Sequence, residues 1–119
     1  VRILFLLPLA WLAACDSGKQ EAVRVANGDA RLGKQLLAQY QCGTCHQIAG
    51  VPAARGQLAP PLDSFGQRGY IAGSVPNTPE MLARWLVNPP ALKPGTTMPA
   101  MGVSEEDARH MAAYLYSLP

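Results

Sequence analysis

Apolar positions fall into two kinds of pattern along this chain, one unbroken run and three helical stripes. The run opens the sequence: Val1, Ile3 to Leu7 and Leu9 to Ala14 are apolar, interrupted by Arg2 and Pro8. An early positive charge, about a dozen apolar residues and a small-residue end predict a secretory leader over residues 1–14. The run falls short of the roughly 20 apolar residues that cross a bilayer as a helix. Residues 16–27 are then polar and without a helical repeat. They predict a flexible tether, at most about 40 Å long when extended and roughly 20 Å on average as a coil.

The first stripe covers 29–41, where Ala30, Leu32, Gly33, Leu36, Leu37 and Tyr40 recur at three- and four-residue spacings. The second begins at Thr78, a natural N-cap, followed by Pro79 at the first helical position and Glu80 in the first turn. Its apolar face is Leu82, Trp85 and Leu86, and Pro89-Pro90 predict its end. The third starts at Ser104 with Glu105, Glu106 and Asp107 complementing the helix dipole. It presents Ala108, Met111, Ala112, Leu115 and Leu118 to a core. Nine of the eleven prolines lie between Pro52 and Pro99, so the middle of the chain is irregular and needs something other than itself to pack on.

Composition changes this picture in two ways. At 119 residues the chain holds one ordinary domain, assigned here to 28–119. Its hydrophobic fraction of 49% owes much to the leader, and without the leader falls into the usual soluble range. The net charge of +2 excludes nucleic-acid binding through a broad basic face. Aromatic residues, at 7%, are too few to fill a core of this size generously.

The cysteines carry the chemistry. Leu12-Ala13-Ala14-Cys15 resembles the lipobox of bacterial lipoproteins, in which cleavage precedes a cysteine that is then lipidated. On that reading residues 15–27 are a lipidated Cys15 and its tether, holding the domain to a membrane outside the cytoplasm. Cys42-Gly43-Thr44-Cys45-His46 is a Cys-x-x-Cys-His pentapeptide, the pattern of covalent c-type haem attachment. Two thiols at that spacing reach the two vinyl groups on one porphyrin edge, and His46 falls beneath the iron as proximal ligand. A zinc site would need about four ligands, and His110 is the one histidine left over. A thioredoxin-like pair wants a βαβ context that the pattern lacks. A simple disulfide leaves His46 unexplained.

A sixth iron ligand is expected from Pro94-Gly95-Thr96-Thr97-Met98-Pro99. Pro-Gly predicts a turn, and a residue before proline is biased to extended backbone, so Met98 is presented on a non-helical stretch. Met101, three residues on, is the rival. Met81 and Met111 are read as core, and mid-helix His110 as a surface residue.

These features together resemble the class I cytochromes c over about residues 28–118. The resemblance rests on the first helix with Gly33-Lys34 and Leu37, the Cys42–His46 site, Ala59-Pro60-Pro61-Leu62, Trp85-Leu86-Val87-Asn88-Pro89, the Pro94–Pro99 loop and Tyr114-Leu115. Residues 77–101 look especially like the cytochrome c domain fused to subunit II of some bacterial haem–copper oxidases. The resemblance implies an all-α fold of three to five helices wrapped around one covalently attached haem. It implies that Gly33 meets the Tyr114/Leu115 region where the first and last helices cross. It also implies that the Pro60 carbonyl accepts a hydrogen bond from His46, although Ala59 stands where the family has glycine. Trp85 is implied as a haem contact, with plain helix core the alternative. Thr96 is implied to reach a propionate.

His/Met ligation leaves no open iron position and suits one-electron cycling. The expected function is a lipid-tethered electron carrier on the periplasmic side of a bacterial inner membrane, where Asp16 after Cys15 resembles a retention signal. The expected acceptor is a terminal oxidase. A quinol–cytochrome c reductase or a dehydrogenase are the other candidate partners, and the chain would be a monomer or a complex subunit. The alternatives are the electron-accepting subunit of a periplasmic dehydrogenase, or a haem ligand sensor. With three lysines, Lys19, Lys34 and Lys93, docking is expected to rely on apolar contact around the haem edge rather than on electrostatic steering.

Overall fold

The computed structural model describes residues 23–119. The leader, Cys15 and most of the tether therefore lie outside the described residues. The described end of the stretch read as tether is held: Val25 packs against the core, and the Gly28 N–H donates to the Val25 carbonyl at 3.0 Å.

Four helices form. Helix α1 spans Ala30–Gln39, α2 Pro79–Val87, α3 Pro89–Leu92 and α4 Glu105–Ser117. Each long helix starts where a short polar side chain satisfies the free amides of the first turn. Asp29 accepts from the Arg31 and Leu32 amides at 2.9 and 3.1 Å. Thr78 accepts from Met81 at 3.2 Å, and Ser104 from Asp107 at 3.1 Å. The stop predicted at Pro89-Pro90 is also a start. Asn88 separates α2 from α3, and the two prolines occupy the first turn of α3, where a missing N–H costs nothing.

The core is the meeting of α1, α2 and α4. Leu36 and Leu37 from α1, Leu82, Trp85 and Leu86 from α2, and Ala108, Met111, Ala112 and Leu115 from α4 are buried. Leu32 departs from its expected place and is exposed at 37%. The α1–α4 crossing depends on Gly33, because a Cβ there would overlap the carbonyl group of His110. The contact lies against His110 and Met111, one turn earlier than the Tyr114/Leu115 region. His110 is likewise not a plain surface residue: its Nδ1 accepts from the Asp29 N–H at 2.9 Å, tying α4 to the start of α1.

The fold is mostly helical, but one element escaped the all-α expectation. Strands β1, Tyr70–Ile71, and β2, Val75–Pro76, pair antiparallel with Ile71 opposite Val75. Ala72 and Gly73 turn between them with φ of 49° and 79°, the left-handed pair that tight hairpins require. Two-residue strands are too short to show an alternating pattern. Lys93 secures this hairpin, donating to the Ala72 carbonyl at 2.6 Å.

Candidate functional site

The Cys42–His46 segment gets its shape from the way α1 ends. Tyr40 closes the helix, Gln41 turns left-handed at φ 58°, and Cys42–Thr44 form a single 3-10 turn. The amides of Cys45 and His46 both donate to the Cys42 carbonyl, at 3.3 and 3.0 Å. Both cysteines are partly buried. Burial pushes the Cys42 thiol above its ordinary pKa. Tight packing leaves no room for side chains around this turn. A Cβ on Gly43 would overlap the backbone of Ala54, and one on Gly56 the backbone of Thr44 and Cys45.

The loop beyond is sewn back onto the turn. Gly56 N–H donates to the Gly43 carbonyl, Ala59 to Cys45 and Leu62 to Gln47, each at 3.0 Å. These bonds carry Pro60 to His46, and the His46 Nδ1 lies 2.7 Å from the Pro60 carbonyl oxygen. A carbonyl can only accept, so Nδ1 carries the proton and Nε2 is the nitrogen with a free lone pair. Ala59, standing where glycine was expected, is not among the residues with positive φ, so a methyl group fits that turn.

Sequence reasoning missed what holds Pro60 in place. Arg68 donates through Nη2 to the carbonyls of Pro61 and Asp63 at 2.6 and 3.0 Å. Its guanidinium sits 5.2 Å from the centre of the Phe65 ring. Asn77 donates through Nδ2 to the Phe65 and Arg68 carbonyls at 3.0 and 2.9 Å, and the Tyr116 hydroxyl donates to Asn77 Oδ1 at 2.7 Å. A chain of hydrogen bonds thus runs from α4 to the segment that orients His46. No spacing rule links a tyrosine, an asparagine and an arginine scattered over 49 residues of sequence. The lone polar Asn77 before the Thr78 cap was the one available hint.

Met98 and Met101 part company in their surroundings. Met98 is half-buried and packs against the same core as Cys42 and Trp85, whereas Met101 is 48% exposed. The Met98 amide lies 3.4 Å from the Thr96 hydroxyl, and Thr96 itself closes a turn onto Lys93 at 3.1 Å. Trp85 is buried at 6% exposure. The site is poor in charge: no group of three or more His, Cys, Asp or Glu that could hold a metal ion occurs among the described residues. Two thiols one turn apart, an adjacent imidazole with its tautomer set and a half-buried thioether form a donor set that fits a covalently held haem. The fit extends to the packing, since the apolar faces of Leu62 and Met98 are only partly covered by protein.

Comparison with known proteins agrees. Residues 30–119 match the family model for cytochrome c. The chain is 36% identical over 110 residues to cytochrome c oxidase subunit 2 of Alkalihalophilus pseudofirmus, covering 92% of this chain and 30% of that protein. It is 30% identical over 89 residues to cytochrome c oxidase subunit 2 of Bacillus subtilis, covering 73% and 25% respectively. It is 34% identical over 101 residues to the cytochrome c-type cyt cy of Rhodobacter capsulatus, covering 77% and 50%. The chain thus spans less than a third of the oxidase subunits it matches and half of cyt cy.

Proposed function

The chain belongs to the cytochrome c family and binds haem c covalently through Cys42 and Cys45, and from that premise we propose that it is a membrane-tethered one-electron carrier that delivers electrons to a terminal oxidase. When bound, the haem supplies reversible one-electron chemistry at iron. His46 would hold its iron through Nε2. The Pro60 carbonyl, by accepting a hydrogen bond from Nδ1–H, fixes the ring and would raise its basicity. Met98 would supply the second protein ligand, and Trp85 and Thr96 would border the group. With both ligands supplied by protein, the iron would keep no open site for oxygen or substrate.

The observation that carries this reading is a contrast among the side chains able to bind iron. One imidazole is locked in a single tautomer, and one of two nearby methionines is half-buried while the other faces solvent. A saturated, rigidly held iron keeps its ligands in both oxidation states and so transfers electrons with little rearrangement. The apolar run ending in Leu12-Ala13-Ala14-Cys15 supports an anchor at Cys15. Periplasmic placement at the inner membrane follows from that anchor and from Asp16 beside it. The oxidase as acceptor is supported by two relatives that are themselves oxidase subunits.

Docking is proposed through apolar contact. Leu58, 84% exposed, lies two residues before Pro60, and exposed Met101 lies three after Met98. Mixing the reduced protein with membranes containing a haem–copper oxidase should give rapid oxygen-dependent oxidation, its rate nearly flat with ionic strength. Failure to oxidise, together with stoichiometric copurification with a dehydrogenase, would instead make it a dehydrogenase subunit.

A further inference from the structure

The carbonyl that meets His46 lies on a stretch of chain that cannot anchor itself. Between the amides of Ala59 and Leu62, which donate to Cys45 and Gln47, stand Pro60 and Pro61. Neither has a backbone N–H to donate. The stretch is held instead through its carbonyls. Arg68 Nη2 donates to Pro61, directly after Pro60, at 2.6 Å and to Asp63 at 3.0 Å.

Arg68 is in turn placed by Asn77. The turn that carries Arg68 contains one short 3-10 segment, Phe65–Gln67, entered through Ser64 at φ 48°. Half-buried Asn77 closes this turn three times. Its Nδ2 donates to the Phe65 and Arg68 carbonyls at 3.0 and 2.9 Å, and its backbone N–H to the Gly69 carbonyl at 3.1 Å. Both side-chain N–H bonds are thereby used. The amide is kept from rotating by the Tyr116 hydroxyl, which donates to Oδ1 at 2.7 Å. The Phe65 ring meets Tyr116 edge-on at 6.4 Å and the Arg68 guanidinium at 5.2 Å.

We propose that Asn77 is a positioning residue for His46. By closing the 65–69 turn it sets Arg68 on the Pro61 carbonyl, keeps the Pro60 carbonyl on His46 Nδ1–H, and so holds the redox potential down. The proposal rests on the reading of His46 as an iron ligand. A carbonyl held on Nδ1–H makes the imidazole a stronger electron donor, which favours ferric iron. A loosened turn weakens that bond and raises the potential.

Redox titration and NMR of the haem-loaded full chain test it. In Asn77→Ala the reduced-to-oxidised ratio at a fixed ambient potential should rise about threefold or more, an upward shift of about 28 mV for a one-electron couple. The His46 Nδ1–H should also exchange with solvent at least tenfold faster. Tyr116→Phe keeps both Asn77 donors but frees the amide to rotate, and should move both readouts the same way by less. Tyr40→Phe removes a bond of equal length to Asp107, outside this network, and should lower stability while moving neither readout. Unmoved readouts in Asn77→Ala, or equal changes in Tyr40→Phe, would overturn the proposal. If Asn77→Ala does not fold, unmoved readouts in Tyr116→Phe overturn it. Absence of a haem-shifted His46 signal from the unaltered protein would instead sink the ligand reading, and the proposal with it.

Discussion

Met98 and Met101 are the same residue type three positions apart, and their surroundings differ. Met98 is held between Thr96 and the core, while Met101 leaves half its surface in solvent. In the oxidised protein, the weak long-wavelength band of thioether–iron bonding should disappear in Met98→Ala and remain in Met101→Ala. The reverse pattern would assign the ligand to Met101. The expectation that a pre-proline methionine is the better placed of the two needed only local backbone rules. The hydrogen bonds of Arg68, Asn77 and Tyr116 were not legible, because each joins residues that only the folded chain brings together.

Tyr116 illustrates how such a network registers in stability. Burial, with the nearby charge of Glu80, raises its pKa from 10.0 to about 12. Between those values the unfolded chain has released the phenolic proton and the folded chain has not, so the unfolded state is favoured and stability falls as pH rises. Burial raises Tyr114 as well, and the Asp107 carboxylate that accepts from its hydroxyl raises Tyr40, so both act in the same direction. Tyr116→Phe should cost about 1–2 kcal/mol at neutral pH, because Asn77 Oδ1 loses its donor. Denaturant melts of this variant should also show a smaller loss between pH 10 and 12. An equal loss would mean that Tyr116 ionises freely in the folded protein.

Among the elements, the α1–α4 crossing decides whether the fold closes. The stripes of α1, α2 and α4 were readable because each buries one face at helical spacing, and their starts were readable because Asp29, Thr78 and Ser104 are short acceptors. The depth of the contact was not. Which turn of α4 meets Gly33 is set where the backbone of His110 and Met111 comes against it, and the His110–Asp29 bond fixes the sliding position of the helices. Gly33→Ala places a methyl group into the His110 carbonyl and should destabilise the protein by about 3 kcal/mol. The comparison Ala38→Gly, at an exposed position of the same helix, should cost about 1 kcal/mol. A Gly33→Ala loss no larger than that would show that the helices can separate freely. The β1–β2 hairpin and α3 were hidden for a different reason, since elements of two and four residues are too short to express a period.

For the molecule as a whole, the thin supply of aromatic residues and the concentration of prolines between Pro52 and Pro99 make sense together. The start of that segment, residues 52–64, builds no helix or strand, and its carbonyls and amides hold Pro60 to His46 and close the Cys42 turn. On the proposed reading the chain presents two ligands, His46 and Met98, to one prosthetic group and keeps them fixed. Adding carbon monoxide to the reduced, haem-loaded protein tests that arrangement most directly. An unchanged visible spectrum is the predicted result, because His46 and Met98 leave carbon monoxide no position to occupy. A prompt spectral change would contradict it and show an iron open to ligands, as in a sensor or an enzyme.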